Sequence, residues 1–535
     1  MGRVSLYFHT VKQMKPSQVL NRIGKKVGCK CSVGVTASES FFNASPVKCP
    51  EQLDFDPVFL ARFPVGELME NKVTFLYGSK SFDWRSKWEF EDKSPLWNFN
   101  LHYFEYLFSL VKAWKDTGEK KYIDKTTEII EGWIDRNPAG TQPAWAPYAT
   151  ALRIVNWISY YGYVNKALDK AFSEKFLKSL HSQYKYLSNH LEKDILGNHY
   201  FEDLKTLVIA ALFFRDEALF DKALSDFRAE CKEEILADGM HFELSPMYHK
   251  IIFEGMLRVA LALRGAGKKD SKIESYLPSM LNVAYSFENG LERIPLFNDG
   301  GNNVAKSLEA LIAVSGCFGL KPEQKTRLED SGYYFFEKTV DRHCWKLIAD
   351  AGQPGPAYIP GHAHCDAMSF ELFCDGKPVI VNCGTYAYQC AERGFFRSTA
   401  AHNTVMIDGV EQSQCWGAFR MAGRSSTKVV EATDCSVIME MTDQKGNCVK
   451  RSIFFSESDI SVKDTSEKPL TAFVHLTDQR FIKEINSKQN YIKSVVPYAE
   501  CYGKKNDITA LSFSGAGEIE LNISLAAVND NNPAL

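Results

Sequence analysis

The feature that most limits what this chain can become is a change of hydrophobic period part-way along it. From about residue 98 to 320 apolar residues return every three or four positions, as in FEYLFSLVKAW (104–114), IDKTTEIIEGWI (123–134), ALRIVNWISYYGYV (151–164) and FEDLKTLVIAALFF (201–214). That is the repeat of a helix, at about 3.6 residues per turn, with an apolar face to bury. Short polar breaks turn the segments into hairpins, which must pack on one another as a bundle, a solenoid or a closed α/α toroid. After about residue 335 the texture becomes short alternating runs, including SFELFC (369–374), KPVIVNCG (377–384), NTVMIDG (403–409) and SIFFSESDISVKD (452–464). Asp-Gly turns at 375 and 408 punctuate them, and the spacing predicts an antiparallel sandwich. The boundary is expected near 320 to 340, giving a helical domain over 91–330 and a sheet domain over 331–535. Residues 1–90 are mixed and read as an extension packed on the helical domain.

The length of 535 residues exceeds what one core normally serves, which also favours two domains. A formal charge of -3 gives no electrostatic reason for a nucleic acid or an anionic membrane as partner; a polyanionic ligand would need a locally basic cleft. The 14 Cys show no ladder of spacings and read as free thiols of a reducing compartment, and Cys29-Lys-Cys31 is too short a pair for a zinc site. The N-terminal MGRVSLYFHTVKQMKPSQVLNRIGKK lacks a signal-peptide apolar region, so a cytoplasmic protein is expected, or a periplasmic one if a leader was removed. No uncharged apolar run reaches the length of about 18 residues that a spanning helix requires.

Four clusters carry chemistry-bearing side chains. Gly197-Asn198-His199-Tyr200-Phe201-Glu202 precedes a helical segment. Asn198 suits an N-cap, with Glu202 and Asp203 in the first turn; alternatively Asn198 and His199 offer donors to a carboxylate beside a helix terminus. In Glu243-Leu244-Ser245-Pro246-Met247-Tyr248-His249, Ser245 as N-cap and Pro246 at the first helical position predict a helix start. Tyr248 then falls in the first turn, where the dipole favours its phenolate and lowers its pKa, as an acid-base catalyst requires; a tyrosine merely packed there is the plainer reading. Gly361 to Phe370, if extended, puts His362, His364 and Asp366 on one face, the make-up of a metal or proton-transfer site. Ala401-His402-Asn403-Thr404-Val405 follows Arg393 and Arg397. His402 would complete a metal set with His364, and the arginines would meet sulfate or carboxylate or pair with local acids.

In order and context these clusters resemble the heparinase II/III family of polysaccharide lyases, from about residue 98 to near 425. The resemblance implies an N-terminal α/α toroid of helical hairpins followed by an antiparallel β-sandwich, with the cleft between them. It implies that Asn198 and His199 neutralise a uronate carboxylate, with Glu202 nearby, that Tyr248 is the catalytic tyrosine and that His362 is its partner. The family's structural metal, one divalent ion such as Zn, Mn or Ca, would fall to His364, position 382 and His402. Here Asn382 stands where the family has an aspartate before Gly384-Thr385-Tyr386, and a neutral amide is a weaker ligand. Arg153 and Arg397 are further candidates for substrate contact.

The expected reaction is β-elimination on an acidic polysaccharide. Donors stabilise the enolate-like charge as the C5 proton leaves, an acid protonates O4, and a 4,5-unsaturated uronate results. A uronyl C5-epimerase begins with the same proton abstraction. A hydrolase would need two flanking carboxylates where this chain has Asn, His and Tyr, and a non-catalytic carbohydrate-binding protein would have no use for Asn198, Tyr248 and His362 together.

Overall fold

The structure is a computed structural model that describes residues 3–27 and 44–525; Cys29 and Cys31 lie outside the described residues. Its helical part alternates two kinds of helix. Fifteen of the 17 residues of Asn198–Phe214 and 16 of the 20 of Pro246–Gly265 are buried. In Lys120–Arg136 and Glu217–Glu234 the counts are 7 of 17 and 6 of 18. Helices buried all round form an inner layer, and helices buried on one face form an outer layer around them, which is the α/α toroid. The segment 201–214, which its period places on a one-faced helix, therefore belongs to the inner layer, where even its polar side is enclosed.

The switch of period falls between the last long helix, Leu308–Gly316, and the first strand, Arg327–Leu328, a few residues before the expected 330/331 division. Beyond it lie two large antiparallel sheets and a two-stranded one, Cys415–Trp416 with Arg420–Met421. The six-stranded sheet runs, edge to edge, Ser426–Ala432, Ser436–Thr442, Cys448–Phe455, Asp459–Thr465, Glu518–Leu525 and Ile482–Ser487. Its strands alternate buried and half-exposed positions, as in Ser436–Thr442, because only one face is covered. Phe370–Cys374 in the nine-stranded sheet is buried at every position. One face of that sheet meets the smaller sheet through a core that includes Leu347, Leu372, Met439 and Val462. The other meets the toroid, where Tyr333, Phe335, Ile348 and Phe373 pack with Met240, Leu244, Phe287 and Phe297. The larger sheet is thus the middle layer, and its far side fixes it to the helices that carry half of the site.

The N-terminal extension does more than pack on the toroid. Leu53, Phe59, Trp84 and Phe90 join the helical core as expected. The first two helices, Arg3–Gln13 and Pro16–Val27, instead touch both domains. Gln18 Nε2 donates to the carbonyls of Ile195 (3.1 Å) on the helical side and Tyr358 (3.3 Å) on the sheet side, while Trp416 Nε1 donates to Thr10 Oγ1 (3.1 Å). Among the described residues no helix is long and apolar enough to cross a membrane.

A buried ion pair ties the second sheet to the site. Arg451 makes a two-pronged bond to Asp464 (2.7 and 2.8 Å) and reaches across to the carbonyls of Met368 and Asn403 (3.0 and 2.9 Å), which flank the loops bearing His364 and His402. Removing the cation from a fully buried pair strands the carboxylate, which typically costs about 3–5 kcal/mol. Arg451→Met is expected to lower unfolding free energy by that amount in a chemical-denaturation experiment, whereas Lys428→Met, at an exposed pair with Glu440, should leave it essentially unchanged.

Candidate active site

Between the two domains lies a cleft of about 1760 Å³, lined among others by Asn198, His199, Tyr248, His362, Tyr388 and Tyr502. Tyr248 sits where the sequence puts it. Ser245 accepts from the Tyr248 backbone N–H (3.3 Å), and Pro246 opens the helix Pro246–Gly265. The Ser245 hydroxyl also donates to the carbonyl of Asp299 (2.6 Å), so the cap fastens the helix start to the rest of the site. The Tyr248 ring lies 4.0 Å from the His362 ring, and its hydroxyl begins a chain of phenols, 2.7 Å to Tyr388 and then 2.8 Å to Tyr502.

The expected depression of the Tyr248 pKa is reversed. Burial pushes the phenol well above its ordinary value, and the nearby Tyr502 and Asp299 add to the rise. Desolvation disfavours the phenolate more than one helix terminus favours it. Tyr248 is therefore a neutral phenol at rest, a proton donor first.

Asp299, which the sequence reading passed over, holds the site together. It is fully buried and accepts from His362 Nδ1 (2.9 Å), His364 Nε2 (2.9 Å), Thr385 Oγ1 (3.0 Å) and both terminal nitrogens of Arg393 (2.5 and 2.7 Å). Burial raises its pKa, but Arg393 and the two histidines overcome that and hold the carboxylate well below its ordinary range. An ionised carboxylate only accepts, so His362 must donate from Nδ1, and in the neutral tautomer this selects, Nε2 carries the lone pair.

The segment expected to be a strand with His362, His364 and Asp366 on one face is a loop. Asp299 and Asn298 claim its side chains in turn. His362 and His364 converge on Asp299, whereas Asp366 turns to the backbone N–H of Asn298 (2.7 Å).

At the other helix start, Gly197 rather than Asn198 is the N-cap, with φ 59° and ψ -146°. A side chain there would collide with Ile359 Cδ1 (2.6 Å) and Glu243 Oε1 (2.7 Å), so the chain needs glycine in order to turn. Asn198 and His199 then open the helix facing the cleft. No acid occupies its first turn; Glu202 and Asp203 come later and are buried. His199 Nδ1 lies 2.9 Å from Glu192 Oε2, and its ring rests on Tyr148 at 4.6 Å. Burial lowers its pKa, but Glu192, Glu243 and Glu202 more than offset this and raise it above the ordinary histidine value. With Nδ1–H held by Glu192, the added proton sits on Nε2, which makes His199 a charged donor.

Two family profiles match adjoining parts of the chain, heparinase II/III N-terminus over residues 56–319 and heparinase II/III-like C-terminal over 320–476. The chain belongs to the heparinase II/III family. It is 26% identical over 370 residues to a heparin-sulfate lyase of Pedobacter heparinus, covering 62% of this chain and 55% of that protein. A heparin-sulfate lyase of Bacteroides stercoris is 22% identical over 439 residues, 72% of this chain and 63% of the relative. The aligned part thus spans less than two thirds of these relatives' own length. A crystal structure of heparinase III superposes with a TM-score of 0.67 at 16% identity, covering 94% of this chain and 87% of that one, which shows the fold.

Other expected site residues of this family member are placed elsewhere. Arg153 is fully buried in the toroid. Its guanidinium is used by Gln183 Oε1 (2.7 Å), the Ala144 carbonyl (2.8 Å) and the Trp133 ring (4.0 Å), so it has no access to substrate. Arg397 is likewise buried and holds the loops together through the carbonyls of Ala363 (2.8 Å), Pro360 (3.2 Å) and Arg420 (3.2 Å). Glu202 lines the cleft but is paired with Lys205.

The implied metal set is brought together in part. His402 Nδ1 faces the Ser398 carbonyl (2.8 Å) and so must donate there, leaving Nε2 as a lone pair 3.2 Å from His364 Nδ1. With His364 Nε2 donating to Asp299, two lone pairs converge in a buried place, and burial keeps both rings in the neutral, ligating form, at pKa about 4 and about 3. Asn382 does not complete the set, because its Oδ1 accepts from the Asn403 backbone (3.0 Å). Two nitrogens fit a cation, but the three-residue set is not assembled, and no step below passes through a metal. Among the described residues, the His, Cys and acidic side chains whose ligand atoms gather within 4.8 Å are His343, Cys374 and Asp375, which do not line the cleft.

Asp299→Asn keeps the shape but leaves Arg393 buried without its counter-charge, so stability should fall by about 3–5 kcal/mol at neutral pH. Because the folded-state pKa is depressed, the contribution of Asp299 is present above the unfolded carboxylate value and disappears as pH falls through the folded one. The wild-type and mutant denaturation free energies should therefore converge in strong acid; a pH-independent gap would refute the charge account.

Proposed function

We propose that the protein is a polysaccharide lyase that cleaves a uronic-acid-containing chain by β-elimination. The observation that carries this is the pair Tyr248 and His362, ring against ring at 4.0 Å, one a neutral phenol and the other locked by Asp299 with a free Nε2, in the same cleft as Asn198 and His199. The family membership and the heparin-sulfate lyase relatives support the reaction class.

The roles follow from the protonation states. Asn198 and the charged His199 donate to the uronate carboxylate and stabilise the charge that grows as C5 loses its proton. His362 Nε2 has the lone pair to take that proton, and Tyr248 has the proton to give to the departing O4 oxygen. The bond between C4 and O4 breaks, C4 and C5 become doubly bonded, and Tyr388 and Tyr502 replenish the phenol through their hydroxyl chain.

The cleft lining argues for a sparsely charged substrate. Its six Lys and Arg (Arg22, Arg62, Lys93, Lys205, Arg258, Arg420) face five acids, Asp92, Glu105, Glu192, Glu202 and Glu254. Several cations are already paired with those acids, as Arg258 is with Glu254 (2.8 Å). Tyr77 and Tyr148 supply ring faces for sugars. A lightly sulfated or unsulfated uronate polymer fits this better than a densely sulfated one.

The test is ultraviolet absorbance of the unsaturated uronate on heparan sulfates of graded sulfation, hyaluronan, chondroitin sulfates and alginate. A rise on the sparsely sulfated polymers is expected. Solvent hydrogen exchange at C5 with no rise would replace the lyase by an epimerase. Tyr248→Phe should fold and lose about two to four decades of turnover. Glu192→Gln removes the main group that raises the His199 pKa, so the imidazolium is lost earlier as pH rises, and the alkaline limb of kcat/KM should move to lower pH. An unmoved limb would sink the assignment of His199.

A further inference from the structure

Next to the catalytic loop two thiols stand closer together than the folding of this region requires. Cys365 follows His364 directly and is buried, whereas Cys415 opens the short strand Cys415–Trp416 and is half-buried at the wall of a second cavity of about 600 Å³. Their sulfurs are 3.9 Å apart. The same cavity is lined by Arg393 and Arg397, two guanidiniums that flank Cys415. Cys365 is fixed by its backbone N–H to the Arg397 carbonyl (3.0 Å) and by its thiol to the Ser413 carbonyl (3.2 Å).

We propose that Cys415 and Cys365 form a modification site for hydroperoxides, with Cys415 the attacking thiolate and Cys365 the resolving thiol. A thiolate, rather than a thiol, is the nucleophile, and neighbouring cations stabilise it. Here the neighbouring Cys365 sulfur, and after it the Arg397 and Arg393 guanidiniums, bring the Cys415 pKa down to about 7 against the opposing effect of burial. Cys415 opens on the cavity while Cys365 lies buried behind it, so the two sulfurs are placed as an attacking and a resolving thiol must be.

In the first step the Cys415 thiolate attacks the outer oxygen of the peroxide, the O–O bond breaks, and an alkoxide or hydroxide leaves, giving a sulfenic acid. In the second, the Cys365 sulfur attacks the sulfenic sulfur, its proton goes to the departing hydroxide, and water and a disulfide result. The peroxide is reduced by two electrons and the thiol pair is oxidised by two. Closing the sulfurs to the disulfide length of about 2.05 Å takes a movement of about 2 Å. Gly417, at φ +57° with open space around it, gives the Cys415 strand room to make that movement. The bond would join the His362 loop to the hairpin that carries Phe419, whose ring lies 6.3 Å from His362 and 5.2 Å from Tyr388.

The experiment uses the reduced full-length protein with near-stoichiometric hydrogen peroxide, followed by alkylation and peptide mass spectrometry. The expected result is a Cys365–Cys415 cross-linked peptide pair, lighter by two hydrogens, formed before the exposed thiols Cys317, Cys344 and Cys448 are consumed. In Cys365→Ser the reaction should stop at the sulfenic acid, trapped on Cys415 by dimedone, and Cys365→Ala provides the same test should the serine variant fold poorly. Cys415→Ser should give neither product. Oxidation of the exposed cysteines while Cys365 and Cys415 remain alkylatable would overturn the proposal. Because the readout is a mass, its outcome is independent of whether the cleft is a lyase site.

Discussion

One buried carboxylate organises this site. Asp299 carries its charge in a fully buried place because Arg393 makes a two-pronged bond to it and two imidazoles and a hydroxyl fill its remaining acceptor positions. Those partners come from three stretches of chain, the loop of His362 and His364, Thr385, and Arg393, so with the segment of Asp299 itself one charge fixes the arrangement of four segments. Its backbone contributes as well, accepting from Ser245 on the toroid side and donating to the His362 carbonyl on the sheet side (2.9 Å). The helix start that carries Tyr248 and the loop that carries His362 are therefore positioned against each other by the same residue.

This explains which parts could be read from the sequence. The start of the Tyr248 helix was legible because capping is local: Ser245, Pro246 and the N–H they serve lie within a few residues. The two-domain architecture was legible because hydrophobic period reports it directly. The meeting of His362 with Asp299 spans 63 positions, and no period or cap encodes such a distance. Asp299 sits in Phe297-Asn298-Asp299-Gly300-Gly301, which reads as a turn and nothing more. The arginines show the same limit. Arg153, Arg393 and Arg397 look alike as letters, yet one fills the toroid core, one balances the Asp299 carboxylate and one ties loops by their carbonyls.

Helix polarity and burial compete at Tyr248 and His199, and the outcomes differ for a physical reason. At Tyr248 the neighbours are phenols and an anion, which add to desolvation. At His199 three carboxylates oppose it. The same enclosed cleft thus keeps one group neutral and another charged, which is the division of labour that elimination from a uronate needs.

The two N-terminal helices have a mechanical meaning. Thr10, Met14, Gln18 and Arg22 line the cleft, and Gln18 is bonded to both of its banks. A groove between two bodies joined by one linker would breathe as a hinge. Here a brace crosses the opening, so any widening must stretch hydrogen bonds made by residues far in sequence from every reacting group. The helices Arg3–Gln13 and Pro16–Val27 act as a spacer that sets the width of the cleft.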